Sequence, residues 1–449
     1  MSDGHESSCN ERRGSRGVAR RDRARWPVYC LWLLIGSAAI NRYTTSVAGL
    51  RVLPEYVALA LTLLVISLAA RRRQLEWRWP PAAWPLFGWL LAALFASLLN
   101  APQRTHSLIL WNKLWMMAAI YVVVANLARG RLLGAVSAQL VTGVGAAVLG
   151  LLQAIGSGHQ PRGALWEANI WGSYLLGTSL LALPIGLTRA RVSWRLRALA
   201  WMGLVLGVGG VVVSLTRGAW VGLAVAATVG ALVATARRPG IGIWQAAGGA
   251  LALLAVAVGL TLSSRGFTSL IPTYDPAHMD EILQRLASFG ALSRDPNVAL
   301  RLEGYRNALA VWRERPWIGW GVGAYGDMFR YSTGEHAWVS NLFEHHMFDS
   351  GVIGLSFLLI GLGLSTWRGV HLWRRARDFR RTLLAGLLLA LLGMLVAFQT
   401  TEASWFAYPW IYLGMLEAVE GDEGHPYDAP SERDRRAGVG RCEAAPLAQ

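Results

Sequence analysis

The sequence predicts an all-α, polytopic integral membrane protein, and three observations carry this prediction. The 449 residues are 54% hydrophobic and only 16% charged, whereas soluble domains carry about 25% charged residues. The mean hydropathy is +0.35, which excludes an ordinary soluble enzyme and a disordered chain. The apolar residues are also gathered in repeated runs of about 16–22 residues, the length that crosses a bilayer as a helix.

The apolar runs predict about twelve transmembrane helices in two groups, at 26–262 and 350–418. We expect the first span to be retained in the membrane, because the run after the basic tail 1–25 has no small-residue cleavage site. The predicted spans are residues 26–41, 53–70, 83–99, 109–128, 132–154, 169–188, 196–214, 219–235, 244–262, 350–367, 382–399 and 403–418.

The basic residues indicate how these spans are oriented. The formal net charge is +16, and a basic total could indicate nucleic-acid binding. The arginines, however, stand in short clusters between apolar runs, as at Arg71–Arg73, and this pattern sets the orientation of membrane helices. It predicts cytoplasmic tails at 1–25 and 419–449 and no nucleic-acid partner. The second tail, rich in Gly, Pro, Asp and Arg, is expected to be disordered.

The segment 263–349 is too long to be a simple connector. The alternation of spans places it on the opposite side from the tails, which is the external side of the membrane. A proline followed by an acidic turn predicts one helix over 276–286, and apolar spacing predicts a second over 301–312. We therefore expect a small external helical subdomain, which is periplasmic if the membrane is a bacterial inner membrane. The second helix is predicted to share one apolar face among Leu302, Tyr305, Leu309 and Trp312.

Arginines lie at the outer ends of several predicted spans. Arg217 occupies a tight link between two spans, where its charge opposes the orientation pattern, Arg162 lies in a polar link, and Arg301 opens the amphipathic helix. Each could be a snorkelling or solvated side chain. A guanidinium group can also bind phosphate oxygens with two parallel hydrogen bonds. These positions therefore indicate anion binding, with Arg265 and Arg306 as weaker candidates.

Other polar residues lie beside predicted spans. Asn169 begins one span and could cap it. His345 and His346 lie beside Glu344 and Asp349 at the entry to the tenth span. A neutral imidazole suits general-base catalysis, and a purely structural role is the alternative. Adjacent histidines point to different helix faces, and no HExxH motif or cysteine cluster exists, so we predict no metal site.

Four segments resemble motifs of the O-antigen ligase and O-antigen polymerase superfamily of bacterial envelopes. They occur in order within about residues 155–367, and the twelve spans with one long external loop support the resemblance. In one departure, the usual histidine of the last motif falls on Ser340. The segments are Arg162-Gly…Glu-Ala-Asn169, Ser214-Leu-Thr-Arg217-Gly-Ala-Trp, Arg301…Tyr305…Pro316-Trp-Ile-Gly-Trp-Gly321-Val-Gly and Asn341-Leu-Phe…Asp349-Ser-Gly351-Val-Ile-Gly354.

The resemblance implies roles for the candidate residues. It implies a catalytic base at His346, with His345 second and His336 third. It also implies that Arg217 and Arg301 stabilise a leaving diphosphate, as fixed cations can where charge develops. The implied ligands of the diphosphate and glycan are Arg162, Arg265, Arg306, Asn169 and His336.

The resemblance also implies an activity and its partners. Members of the superfamily transfer a sugar chain from undecaprenyl diphosphate to an acceptor at the outer face of the inner membrane, without a cofactor. We favour inverting, metal-independent transfer of O-antigen polysaccharide to lipid A–core oligosaccharide, in contact with membrane lipids. The alternatives are polymerisation of O-antigen repeat units and protein O-glycosylation. A non-enzymatic transporter or flippase of the lipid-linked glycan is a hypothesis from another class, disfavoured because the span centres carry few polar residues.

Overall fold

The computed structural model describes residues 26–41, 45–47, 50–71, 77–157, 161–165, 167–235, 296–331, 334 and 336–419. Thirteen helices and a two-stranded antiparallel hairpin are formed by these residues, and the hairpin pairs β1 (Thr45–Val47) with β2 (Leu50–Val52). The helices are α1 (Trp26–Ala38), α2 (Pro54–Arg71), α3 (Ala83–Leu99), α4 (Arg104–Leu127), α5 (Leu132–Ser157), α6 (Ala168–Leu187), α7 (Trp194–Val213), α8 (Arg217–Thr235), α9 (Pro296–Trp312), α10 (Ala324–Met328), α11 (Leu342–Arg375), α12 (Asp378–Ala397) and α13 (Ala407–Ala418).

The described residues are mostly helical, as the sequence predicts for a polytopic membrane protein. Seven of their helices are long and apolar enough to cross a membrane, namely α4 to α8, α11 and α12, and the shorter helices α1, α2 and α3 are also apolar. Each predicted span outside 236–295 corresponds to a helix. The predicted span 244–262 and the predicted helix 276–286 lie outside the described residues. The β1–β2 hairpin is a small addition to the all-α prediction.

Helix α6 lies at the centre of the bundle. Most of its surface is buried, and it packs mainly against α7 and α12. The helices approach closely because small residues lie at their contacts, as is usual in membrane bundles. At the contact of α8 with α12, for example, a Cβ atom on Gly222 would collide with the carbonyl oxygen of Gly393. The core around α6 therefore leaves little freedom to move one helix past another.

A group of buried polar side chains lies where α5 meets α6. Gln139 Nε2 donates to Thr178 Oγ1 at 3.3 Å, and the hydroxyl groups of Thr142 and Tyr174 are 2.9 Å apart. We expected few polar residues at the span centres, and the spans α5 and α6 carry more than expected. Because these groups bond to one another, they satisfy the requirement for hydrogen bonding inside a bilayer and serve packing between the two helices.

Helix α9 covers the helix predicted over 301–312 and begins earlier, at Pro296. Of the four residues predicted to share one face, Tyr305 and Trp312 are half-buried and pack against a second hydrophobic cluster that includes Tyr325 and Phe348. Leu302 and Leu309 are exposed, whereas Ala308 is fully buried in that cluster. The predicted face is therefore buried only in part, because a small alanine and a tyrosine fit the neighbouring segment.

Helix α11 begins before the predicted start of the tenth span at residue 350. It begins at Leu342, because the Asn341 side chain caps it by accepting hydrogen bonds from the backbone N–H groups of Phe343 (3.0 Å) and Glu344 (3.1 Å). The first turns of α11 are polar, and its backbone is non-helical at Gly351, close to the predicted start of the span. Those polar turns carry both histidines, so the candidate base belongs to a helix.

Candidate functional site

The link between α12 and α13, residues 398–406, joins several elements that are distant in sequence. The Gln399 carbonyl oxygen accepts a hydrogen bond from the Tyr305 hydroxyl (3.3 Å), and the Gln399 side-chain oxygen accepts one from Asn341 Nδ2 (3.1 Å). The Phe398 carbonyl accepts from the backbone N–H of Leu342 at 2.9 Å. We call this end of the bundle the site end, because the candidate residues on α8, α9 and α11 meet here.

His345 is held in the first turns of α11 by a carboxylate one turn later. Its Nε2 atom lies 3.1 Å from Asp349 Oδ2, and both side chains are almost fully buried. The ring is stacked on Trp338 (centroids 6.0 Å apart) and lies edge-on to Trp405 (5.8 Å). The i, i+4 spacing of histidine and aspartate was the signal available in the sequence. The arrangement fixes the imidazole with Nε2 toward a carboxylate, leaving Nδ1 directed elsewhere.

His346 is in a different environment from its neighbour. It is buried, its ring lies edge-on to Trp89 at 5.0 Å, and neither ring nitrogen has a hydrogen-bond partner among the described residues. It lines an apolar cleft between α11, α12 and α13, whose other lining residues are Leu342, Leu358, Leu362, Thr366, Leu391, Met394, Leu395, Phe398, Ser404, Pro409, Trp410 and Leu413. His345 therefore faces a carboxylate, whereas His346 faces an apolar cleft.

Helix α11 is interrupted at Gly351, which has φ +65° and ψ −172°. The interruption frees backbone groups, and the turn 316–321 satisfies them. The N–H groups of Trp320 and Gly321 donate to the carbonyls of Phe348 and Asp349, both at 2.9 Å. On the other side of the break, the N–H of Val352 donates to the Pro316 carbonyl (2.9 Å) and that of Ile353 to the Trp317 carbonyl (3.3 Å). The turn thus replaces the missing hydrogen bonds of the helix.

The same turn orients Asp349. The backbone N–H of Gly323 donates to Asp349 Oδ1 at 3.2 Å, while Oδ2 faces His345. Glycine is required at 323, since its φ is +75° and a Cβ atom would collide with Leu110 on α4. Two segments that resemble superfamily motifs therefore act together: the glycine-rich turn fixes the carboxylate, and the carboxylate fixes the imidazole.

Arg217 begins α8 beside this link. Leu215, just before it, has φ +57°, so the chain turns tightly into the helix. The adjacent Gly218 is in contact with Thr400 of the link, where a Cβ atom would collide with the threonine hydroxyl. Arg217 is half-buried. The turn between α7 and α8 thereby places Arg217 at the site end.

Asn169 lies at the same end but does not cap α6. Glu167 is the N-cap residue, and it provides no side-chain hydrogen bond. The Asn169 side-chain oxygen instead accepts a hydrogen bond from Thr216 Oγ1 at 3.2 Å. The capping prediction was wrong because the helix begins one residue before Asn169, which places its side chain against the α7–α8 turn.

The other predicted cations occupy varied positions. Arg301 is half-buried on α9, one turn before Tyr305, whose hydroxyl contacts the 398–406 link. Arg306 is exposed on the same helix, and Arg162 is exposed in the α5–α6 link, where its backbone N–H donates to Gln153 Oε1 at 3.3 Å. Arg265 lies outside the described residues. Of these arginines, the structure brings Arg301 nearest to the elements that hold His345.

His336 belongs to a separate cluster. Its Nδ1 atom contacts the Gly326 carbonyl oxygen (2.5 Å) and lies 3.9 Å from Asp327 Oδ1, which is also 2.9 Å from His106 Nδ1. The two imidazole rings are 5.5 Å apart. This cluster fastens the segment after α10 to the start of α4, and His336 is not grouped with His345 and His346.

Sequence reasoning missed Glu402, Ser404, Trp405 and Lys113. Glu402 Oε1 accepts a hydrogen bond from Ser404 Oγ at 2.5 Å. Burial raises the pKa of the Glu402 carboxyl, and the His345 imidazole partly opposes this effect. Lys113 lies over the Trp405 ring at 5.7 Å. The signal in the sequence was an acidic residue, Glu402, in the short link between the last two predicted spans.

Within the part of the chain that the structure describes, no three His, Cys, Asp or Glu side chains are grouped so that they could hold a metal ion. The polar chemistry at the site end consists of an imidazole with its carboxylate, a second buried carboxyl, and cationic residues on α4, α8 and α9. An imidazole can accept a proton, and cations can stabilise a developing negative charge.

A comparison with curated proteins gives no significant match. Residues 202–359 match the family model described as O-Antigen ligase. The matched segment runs from α7 into α11 and contains Arg217, Arg301 and the His345–Asp349 pair. The match supports the prediction made from the motifs, that this part of the chain resembles the O-antigen ligase superfamily.

Proposed function

We propose that the protein is an inverting, metal-independent glycosyltransferase. It would move O-antigen polysaccharide from undecaprenyl diphosphate to lipid A–core oligosaccharide at the periplasmic face of the bacterial inner membrane. The observation that carries the proposal is the buried His345–Asp349 pair at the end of the bundle where Arg217 and the link 398–406 also lie. The family match supports the same class of activity.

His345 is the proposed general base, ahead of His346. The acceptor hydroxyl oxygen forms a bond to the anomeric carbon, the bond from that carbon to the diphosphate oxygen breaks, and the hydroxyl proton passes to the His345 imidazole. Attack from the face opposite the leaving group inverts the anomeric centre. Asp349 faces Nε2 and stabilises the imidazolium that forms, the role a buried carboxylate plays beside a catalytic histidine. His345 also stacks on Trp338, two residues before Ser340, so its ring lies near the usual histidine position of the superfamily motif.

The leaving diphosphate gains negative charge as its bond to the sugar breaks. Arg217 is proposed to hold that charge, with Arg301 as a second cation. A guanidinium group suits the task because its fork of N–H donors matches phosphate oxygens and it stays protonated. Arg162 and Arg306 are exposed and are proposed to contact the glycan or phosphate as it enters; Arg265 and Asn169 remain weaker candidates for the same role.

The apolar cleft beside His346 is proposed to hold part of the undecaprenyl chain. Its lining is made almost entirely of aliphatic and aromatic side chains from α11, α12 and α13. A long isoprenoid has no hydrogen-bonding groups, so it needs an apolar surface of this kind. Since His345 and His346 are adjacent, a chain in the cleft would bring its diphosphate to the site end. His346 is thus assigned to the cleft and His336 to neither role.

The proposal is tested with Arg217→Ala. Transfer should fall by about two to three orders of magnitude, the usual cost of removing a group that stabilises transition-state charge, while the amount of folded protein in the membrane is unchanged. Arg195→Ala is the matched control, because Arg195 is an exposed arginine at the start of α7 that lies over Trp194. Full transfer by Arg217→Ala would remove the leaving-group role.

A deletion strain separates the ligase from its alternatives on a lipopolysaccharide gel. If the protein is a ligase, the strain should make lipid A–core oligosaccharide without long chains, while O-antigen polymer accumulates on the lipid carrier. Core that carries a single repeat unit would instead identify a polymerase, and lipid-linked glycan trapped on the cytoplasmic side would identify a flippase. Either of those two outcomes would overturn the ligase assignment.

A further inference from the structure

Lys113 is the only lysine of the chain, and it lies on α4 within the predicted span that begins at residue 109. Its side chain is half-buried. The ammonium group lies over two aromatic rings of the 398–406 link, 5.7 Å from the centroid of Trp405 and 5.8 Å from that of Phe406. Aromatic faces attract a cation, but they do not provide the hydrogen-bond acceptors that an ammonium group needs.

Trp405 contacts both Lys113 and the proposed general base, His345. The Trp405 ring is 5.8 Å from the His345 ring and forms the platform under the ammonium group. The Trp405 indole N–H is buried and has no acceptor among the described residues. The ammonium group and the indole N–H of the ring beneath it are thus two donors without a direct protein acceptor, which fits a ligand rich in acceptor oxygens.

Two carboxylates balance the charge of Lys113 at a distance. Lys113 interacts electrostatically with Glu55 and Glu402; Glu402 bonds to Ser404, whereas both carboxylate oxygens of Glu55 are buried without a hydrogen-bond partner among the described residues. Within the described residues, the direct contacts of the ammonium group are with rings. Its N–H donors are thus available to the oxygens of a ligand.

We propose that Lys113 binds a phosphate of the polyprenyl diphosphate donor. This inference rests on the proposed function of the site. Lys113 lies over Trp405 and Phe406 of the link 398–406, and Gly218, next to Arg217, is in contact with Thr400 of the same link. The cation on α4 and the arginine that begins α8 therefore lie at the same end of the bundle, where the two phosphates of the donor need separate cations. A lysine suits a phosphate because it acts as a compact point charge.

The single lysine makes a direct binding experiment possible. Amine acetylation of the purified full chain in detergent modifies one side chain, so its rate at Lys113 is followed by mass spectrometry. Farnesyl diphosphate, a short donor analogue, should slow the modification by about tenfold, while farnesol should not, because only the former supplies phosphate oxygens. Equal rates with and without saturating farnesyl diphosphate would overturn the proposal, as would equal protection by phosphatidylglycerol, which would indicate general binding of lipid headgroups.

A pair of variants gives a second readout. Lys113→Met keeps the length of the side chain and removes its charge, and it should raise KM for the donor about tenfold or more with a smaller change in kcat. Lys113→Arg should restore most of that loss. An unchanged donor KM in Lys113→Met, with lower thermal stability, would show a structural cation and overturn the proposal.

The two proposals fail in distinguishable ways. If Arg217→Ala retains full transfer while farnesyl diphosphate still protects Lys113, the leaving-group role of Arg217 fails and the anion site stands. If transfer depends on Arg217 and His345 but Lys113 is not protected, the anion site fails and the proposed function stands.

Discussion

The two ends of α13 carry buried polar groups that differ in how completely they are paired. At the end near Ala418, Glu417 accepts a hydrogen bond from Ser365 Oγ (2.6 Å) and lies 3.6 Å from Arg368 Nε. At the site end, both ring nitrogens of His346 and the indole N–H of Trp405 have no partner among the described residues. A paired buried group stabilises the fold, whereas unpaired groups cost free energy and persist where a ligand completes them. The comparison separates the structural cluster from the functional one.

The largest effect on stability is expected from a substitution at Gly351, where the interruption of α11 supports the site end. Gly351→Ala places a Cβ atom against the Trp317 carbonyl in a backbone conformation that only glycine adopts readily. We expect a loss of about 3 kcal/mol or more in stability, since strained backbone alone costs 1–3 kcal/mol. Thermal unfolding in detergent measures it. Gly363→Ala in the same helix is the control, because a Cβ atom there meets no neighbour; equal melting temperatures for the two variants would contradict the described interruption.

The next prediction compares one variant in each cluster: the first should lower transfer but not stability, and the second should lower stability but not transfer. Asp349→Asn keeps an oxygen for the Gly323 N–H but removes the charge that faces His345, so kcat should fall by about 10²–10⁴ with little change in Tm. Glu417→Gln should lower stability by about 1–3 kcal/mol, the cost of disturbing a buried charged partner, and leave transfer by the folded protein unchanged. A loss of kcat in Glu417→Gln with unchanged Tm would remove the distinction drawn above.

A smaller comparison lies within the site end, between the two adjacent histidines. His345→Gln should reduce kcat by about 10²–10⁴ because the proposed base is lost. His346→Gln should change kcat less than about tenfold and act mainly through the apolar cleft. Single-turnover measurements with a fixed donor concentration compare the two. The reverse order would return the base to His346, the residue first favoured by the sequence.

The smallest effect is expected from metal removal. Transfer should be unchanged in EDTA, because the proposed stabilisation of the leaving diphosphate uses guanidinium and ammonium groups. The assay compares initial rates before and after dialysis against the chelator. A loss that is restored by adding a divalent ion would contradict metal-independent transfer.

The fold could be predicted from the sequence where apolar periodicity decides it. The spans that correspond to α4 to α8 followed from continuous apolar runs. The interruption of α11 could not be predicted, because its hydrogen bonds join Gly321 and its neighbours to residues about thirty positions later. The polar turns of α11 before Gly351 could not be assigned by hydropathy, since the cap at Asn341 that begins them is local chemistry.

The candidate site was predicted only in part, for a related reason. The sequence placed His345 and His346 side by side but could not assign them to different compartments, since that depends on which face of α11 meets Asp349 and which meets α13. Glu402 was missed because it lies in a short link between predicted spans, and Trp405 because it lies within a predicted span; only tertiary contacts bring them to the site.

The turn that repairs the break in α11 has a consequence for how the chain is assembled. Because 316–321 precedes α11 in the chain, it is synthesised before the helix that needs it, and the four peptide groups at Gly351 can find partners as soon as α11 emerges. An insertion between Val322 and Asn341 would lengthen the tether between these two pieces and delay their meeting. Epitope tags and fusion junctions are therefore better placed elsewhere.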